Sequence, residues 1–179
     1  MWNFEQFKNN VAIIDEYGTD VSYEELIEFG DKVASVISER SLVFVMCTNS
    51  IGSVAGYASF VNKGMVSVLL NAHLEKELLD NLVETYKPEY IWVPTEMCTE
   101  YEKYNAQNVF SEYGYTLLKT TFDAKYELYD ELCIMLTTSG STGSPKFVRQ
   151  SYKNVESNAK SIVQYLELNS VSYTHLRAH

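Results

Sequence analysis

Positive charge is scarce in this chain: 14 Lys and Arg stand against 24 Asp and Glu, a formal net charge of -10. Phosphate backbones are held by clustered Lys and Arg, so an extended nucleic-acid surface is excluded as a partner site. One local anion site is still compatible with that charge, because backbone N–H groups and a single Lys can build it on an acidic protein. Cysteine is sparse too. Cys47, Cys98 and Cys133 have no metal-ligand spacing, and their odd number suits a reduced compartment better than a disulfide framework. Histidine is as rare, and two of the three, His175 and His179, lie in the last few residues. No stretch approaches the roughly 18 apolar residues that would span a bilayer. The segment Met1–Gln6 lacks a basic region followed by an apolar run, so no secretory signal is read there and a cytoplasmic location is expected. No repeat, low-complexity tract or linker interrupts the chain.

What is present is ordinary for a globular protein. Hydrophobic residues make up 46% and charged residues 21%, and 179 residues can bury a sizeable core in one domain. The last nine, Val171-Ser172-Tyr173-Thr174-His175-Leu176-Arg177-Ala178-His179, look like the translation of a transposase sequencing adapter. Residues 171–179 are therefore expected to be a non-native tail and are kept out of the fold reasoning. A natural polar tail is the alternative.

Residues 1–170 alternate between strand-like and helix-like segments, as in a layered α/β fold. Val11–Asp15 is a short apolar run before a turn at Tyr17–Asp20. Ser22 followed by Glu25 predicts a capping box, opening a helix with Leu26, Phe29, Val33, Val36 and Ile37 on one face. Leu42–Cys47 is continuously apolar, as in a strand covered on both sides. Asn49 or Ser50 caps a second helix rich in small residues, ending near Lys63-Gly64. Met65–Leu70 is the next strand. Glu75–Tyr86 is an amphipathic helix stopped by Pro88, and Tyr90–Val93 is another strand. Between Cys98 and Tyr129 the pattern weakens, with one strand expected at Tyr115–Leu118. Cys133–Thr137 and Phe147-Val148 are strands, and Ser151 opens a helix with Val155, Ala159, Ile162, Val163 and Leu166 facing inward.

Thr137-Thr138-Ser139-Gly140-Ser141-Thr142-Gly143-Ser144-Pro145-Lys146 follows a buried strand directly. Glycines let a backbone turn sharply and approach a ligand, and successive N–H groups in such a turn form a concave nest for phosphate oxygens. Hydroxyls add donors, and Lys146 adds a point charge. The P-loop NTPase motif is a different one, since it requires Gly-Lys followed by Ser or Thr, and here Pro145 precedes the lysine and Phe147 follows it. A solvated surface loop would have the same composition.

Ser139 to Lys146 resembles, at every position, the signature Ser-Gly-[Ser/Thr]-Thr-Gly-x-Pro-Lys of the adenylate-forming superfamily of acyl-CoA synthetases, amino-acid adenylation domains and luciferases. Two further stretches are similar and stand in the same order. Val21–Leu26 resembles the family's early Thr/Ser-Tyr-x-Glu-Leu helix start. Asn62–Leu69 resembles its Lys-Ala-Gly-x-x-x-x-Pro turn, with Leu69 in place of the proline. Phe147 stands where the family usually has Gly, and Tyr152 where it often has His.

The resemblance implies an α/β fold, the layered N-terminal portion of the large domain of an adenylate-forming synthetase, over residues 1–170. It implies an ATP-dependent ligase that turns a carboxylic acid into an acyl-adenylate and then a thioester. Thr138, Ser139, Gly140, Ser141, Thr142, Gly143 and Lys146 would grip the ATP phosphates. The implied cofactors are ATP and Mg2+, with coenzyme A or the phosphopantetheine of an acyl carrier protein as acceptor. The family's acidic magnesium residue, ribose-binding Asp, hinge and catalytic lysine fall later than residue 170, so no catalytic or metal residue is assigned here and the chain alone is expected to be inactive. An amino-acid adenylation module is the nearest alternative; a non-enzymatic nucleotide- or anion-binding domain, or a structural α/β domain, is the other. Among other residues, His73 has no second ligand nearby in sequence. Glu75, Glu77, Asp80 and Glu84 read as a solvated helix face, and Tyr101, Tyr104, Tyr113 and Tyr115 as packing.

Overall fold

The computed structural model describes residues 2–37, 40–137 and 147–168. Two short strands, β1 (Val11–Ile14) and β2 (Asp20–Ser22), form an antiparallel pair that leads into helix α1 (Tyr23–Val36). The main sheet contains β3 (Leu42–Cys47), β4 (Val66–Asn71), β5 (Tyr90–Pro94), β6 (Gln107–Glu112), β7 (Tyr115–Lys119), β8 (Leu132–Thr137) and β9 (Phe147–Ser151). Its order is β6-β7-β5-β3-β4-β8-β9. The inner strands β5, β3, β4 and β8 are parallel, and an antiparallel strand or hairpin borders each side. Helix α2 (Ile51–Asn62) connects β3 to β4, α3 (Lys76–Tyr86) connects β4 to β5, and α4 (Tyr152–Tyr165) follows β9.

Period-two alternation divides the core between the two faces of the sheet. Phe44 and Met46 of β3 join Leu79, Leu82 and Val83 of α3 in one cluster. Val43 and Val45 join Phe29 and Val33 of α1 and Ala55 and Phe60 of α2 in the other. Apolar surface is thus removed from water on both sides of β3, β4 and β5, which is why those strands read as largely apolar runs, with Ser67 the buried polar exception in β4.

The capping box is present. Ser22 Oγ accepts from the Glu25 amide at 3.2 Å, while the Ser22 amide donates to the Glu25 carboxylate at 2.7 Å. Ser50 caps α2, one of the two expected candidates. The weak stretch holds more structure than its sequence suggests. Thr95–Tyr104 is a 3₁₀ segment that buries Tyr101 and Tyr104, and β6 pairs with β7 through a turn at Tyr113-Gly114. Tyr101, Tyr104 and Tyr115 are core residues. The expected inward stripe of α4 is corrected: the helix has no buried residue, and Ile162, Val163 and Leu166 are 46–49% exposed. Its periodicity is amphipathic, and of that stripe Val155 is partly buried against Val61, Cys133 and Ile134, while Ile162, Val163 and Leu166 have no covering layer among the described residues. Among the described residues no helix is long and apolar enough to cross a membrane.

Candidate phosphate-binding site

Parallel α/β sheets bind ligands beyond the carboxyl ends of their strands. Here that edge is formed by Cys47, Asn71, Pro94 and Thr137, the last residues of β3, β4, β5 and β8. Strand order reverses at β3, because the chain runs to β4 on one side and then to β5 on the other. The crevice at that reversal is occupied by Tyr115. Its hydroxyl donates to the Met46 carbonyl at 3.0 Å and lies 2.7 Å from Thr48 Oγ1. Gly52 of α2 sits so close that a Cβ there would come within 2.5 Å of the Tyr113 carbonyl and the Tyr115 ring. Protein side chains therefore take the space at the switch point, and the carboxyl edge on the β4–β8 side is the one without such a plug among the described residues.

The glycine- and hydroxyl-rich segment belongs to that side. β8 pairs with β9 antiparallel, with Thr137 opposite Phe147, so residues 138–146 connect the two strands at the carboxyl edge. The sequence-expected phosphate ligands Thr138, Ser139, Gly140, Ser141, Thr142, Gly143 and Lys146 lie outside the described residues, as do residues 171–179 of the expected tail. The flanks are well defined. Phe147 turns its ring toward the α3 face and meets Tyr86 edge-on at 4.7 Å between centroids. The residue following the signature lysine is thereby anchored by an aromatic pair that a glycine could not make.

Parallel pairing of Leu69 with Leu136 sets Asn71 and His73 beside the start of the segment. Asn71 Oδ1 accepts from the His73 amide at 2.9 Å, and the Ala72 amide donates to the Cys47 carbonyl at 3.0 Å. His73 is exposed, on the same edge as the segment. The sequence offers His73 no second metal ligand nearby, and the family resemblance implies that its segment lies near the ligand-facing edge of the sheet, which is where the structure has it. Burial pushes the Cys47 thiol up, and pushes that of Cys133, buried within β8, up to about 11. Neither is poised as a nucleophile. Among the described residues no group of three His, Cys, Asp or Glu could hold a metal ion. Glu75, Glu77 and Glu84 are exposed along α3, while Asp80 bonds to Lys103 and the Tyr104 hydroxyl.

The described strands and helices form a doubly wound α/β sheet, and that fold defines the class. The family model described as AMP-binding enzyme matches residues 1–176, and the chain belongs to that family. It is 23% identical over 170 residues to the D-alanine–D-alanyl carrier protein ligase of Streptococcus equi subsp. equi (strain 4047), covering 92% of this chain and 33% of that protein. The chain thus spans about a third of the length of that curated relative. Its fold is similar to apo MatB from Rhodopseudomonas palustris, with a TM-score of 0.69 and 23% identity over 90% of this chain and 36% of that one. It is equally similar to o-succinylbenzoate CoA synthetase (MenE) from Bacillus subtilis in complex with the acyl-adenylate intermediate OSB-AMP. There the TM-score is 0.69 and the identity 21%, over 93% of this chain and 45% of that one.

Proposed function

We propose that this chain is the N-terminal portion of an AMP-forming carboxylate ligase and that residues 138–146 hold the β- and γ-phosphates of MgATP. The observation that carries the reading is the unbroken signature Ser139–Lys146, bracketed by paired strands at the carboxyl edge of a parallel sheet. In the first half-reaction a substrate carboxylate oxygen attacks the α-phosphorus of ATP. The bond from that phosphorus to the bridging oxygen breaks, giving acyl-adenylate and pyrophosphate. In the second, a thiolate attacks the acyl carbon and AMP leaves, giving a thioester. Activation is needed because a carboxylate is a poor electrophile.

The part assigned to this chain is electrostatic. Negative charge accumulates on the departing pyrophosphate, and fixed N–H and hydroxyl donors with the Lys146 ammonium stabilise it more than they stabilise bound ATP. Magnesium enters with ATP, and no residue of this chain is assigned to it. Coenzyme A or a carrier-bound phosphopantetheine is the proposed thiol, in line with the CoA synthetase and carrier-protein ligase among the similar proteins. The cytoplasm, where ATP and these thiols occur, is the proposed location.

Phosphate contacts fix one end of the nucleotide only. Each missing charge-assisted contact to the rest of ATP forfeits roughly 1.5–3 kcal/mol, so the chain by itself should bind MgATP with a Kd on the order of millimolar. The test is calorimetric titration of MgATP into the chain and its Lys146→Ala variant, beside hydroxamate trapping of acyl-adenylate over a panel of carboxylic acids. The expected result is weak binding that pyrophosphate competes away, at least about tenfold weaker in the variant, and no hydroxamate. Identical affinity in both proteins would overturn the phosphate assignment, and measurable hydroxamate would show a complete enzyme rather than a portion of one.

A further inference from the structure

The β8–β9 hairpin is peripheral. Among the described residues β9 is a sheet-edge strand with only β8 as its neighbour, β8 joins the rest of the sheet through the β4 ladder from Ser67/Ile134 to Leu69/Leu136, and α4 buries none of its residues. Its root is nevertheless gripped by one side chain. Arg40, immediately before β3, is half-buried, and its guanidinium reaches three separate segments. Nη1 donates to the Gly64 carbonyl, in the turn before β4, and to the Tyr152 hydroxyl at 3.3 Å, in the first turn of α4. Nη2 donates to the carbonyls of Tyr129 at 2.9 Å, Asp130 at 3.4 Å and Leu132, where the chain enters β8. None of these acceptors is a carboxylate, so carbonyl dipoles and one phenol solvate the cation. Nε is buried without a hydrogen-bond partner among the described residues.

We infer that Arg40 is a positioning residue for the phosphate segment, locking the root of the β8–β9 hairpin against the β3–β4 half of the sheet. The inference rests on the phosphate-binding reading for its functional consequence, although the clamp itself can be tested without nucleotide. The planar guanidinium suits the task because its donors fan outward in a fixed fork, whereas a lysine would concentrate its three donors at one point. Leverage makes the root important. From Leu132 to Thr137 the strand advances about 17 Å at roughly 3.3 Å per residue, so a tilt of about 5° at the root moves the tip by about 1.5 Å. Displacements of about 1 Å can cost on the order of a hundredfold in rate where geometry is tuned to a transition state. Tyr152 takes part directly, which gives a physical role to the tyrosine found where the family often has histidine.

Hydrogen exchange on the 179-residue chain tests the clamp. In Arg40→Ala, amides of β8 and β9 should exchange at least about tenfold faster, while those of β6 and β7, at the far side of the sheet, change less than about twofold. Guanidinium at tens of millimolar should restore the β8–β9 protection, and methylammonium at equal ionic strength should not, because only the former reproduces the fork. Tyr152→Phe should loosen the first turn of α4 alone. If Arg40→Ala fails to fold, Arg40→Lys keeps the charge without the fork and should show the same selective loss. Uniform loss across the sheet, no loss, or rescue by both cations would overturn the inference. MgATP affinity is read in the same proteins: it should fall at least about threefold in Arg40→Ala and in Arg40→Lys, and return with guanidinium in Arg40→Ala. Absence of MgATP binding in the unsubstituted chain would remove the phosphate reading, and the exchange pattern would still decide the clamp.

Discussion

At the residue scale, the clearest constraint lies where two glycines of α2 meet Trp92. The indole is fully buried, its Nε1 donates to the Gly52 carbonyl at 2.8 Å, and a Cβ on Gly56 would stand 2.2 Å from Nε1. Both atoms are held from behind. Trp92 stacks near Tyr115 at 5.4 Å and meets Phe29 and Phe60 at 5.7 and 5.8 Å, so the ring has no free direction in which to retreat. Gly56→Ala should therefore cost about 3 kcal/mol, combining overpacking with loss of the indole hydrogen bond. Chemical denaturation followed by tryptophan fluorescence measures it, and a loss below about 0.5 kcal/mol would mean that α2 can shift away from the sheet at little cost. The small residues of α2 were visible in the sequence. Their reason was not, because Trp92 lies 36 residues further along and only the parallel arrangement of β3 and β5 brings it under the helix.

At the scale of elements, local chemistry was the most legible. Ser22 and Glu25 marked the start of α1, and the structure shows both reciprocal hydrogen bonds. Backbone and then side-chain hydrogen bonds from Ser22 hold the Glu25 carboxyl below its ordinary value of 4.5. A folded-state value below the unfolded one means stability that is fully present above about pH 4.5 and is lost as pH falls through the lower folded value. Glu25→Gln should flatten the acid limb of the stability–pH curve below about pH 4.5, leaving its shape near neutrality unchanged. Parallel acid limbs in the two proteins would assign the carboxylate no role in the cap. Strands β3, β4, β5 and β8 were legible for a related reason: burial on both faces demands a largely apolar run. β6 was hidden because it is an edge strand, Gln-Asn-Val-Phe-Ser-Glu, with half its residues turned to solvent. β2 was hidden because three residues are too few for any period. The phosphate segment was legible as a motif and the edge position of Asn71 and His73 through the family resemblance, yet Arg40 depends on carbonyl positions that no residue pattern encodes.

At the scale of the whole molecule, the two core clusters surround β5, β3 and β4 and take in Leu132 and Met135 of β8, while Leu136 and Thr137 at the end of β8, with β9 and α4, form a limb in which no residue is buried. That limb carries Leu136, Val148, Ile162, Val163 and Leu166, each between 37% and 49% exposed. Scattered apolar residues on a surface are ordinary, but Ile162, Val163 and Leu166 at helical spacing on one helix, with an edge strand in the same limb, offer a template for association. The helix periodicity is that of a buried face, and a second copy of the chain offers an identical stripe to pack against it. Opposing this is the net charge of -10, which keeps copies apart at low ionic strength. The two effects respond oppositely to salt, since raising it from about 20 to 500 mM screens the repulsion and leaves the apolar attraction in place. Sedimentation velocity should therefore show a monomer at low salt and low concentration, and reversible oligomers as salt or concentration rises. Val163→Lys with Leu166→Lys should abolish the oligomers at every salt concentration while lowering the thermal midpoint by no more than about 2 °C, because neither side chain is buried within one copy. A chain that stays monomeric at high salt, or a double variant that associates as strongly as the parent, would show that this stripe does not drive association.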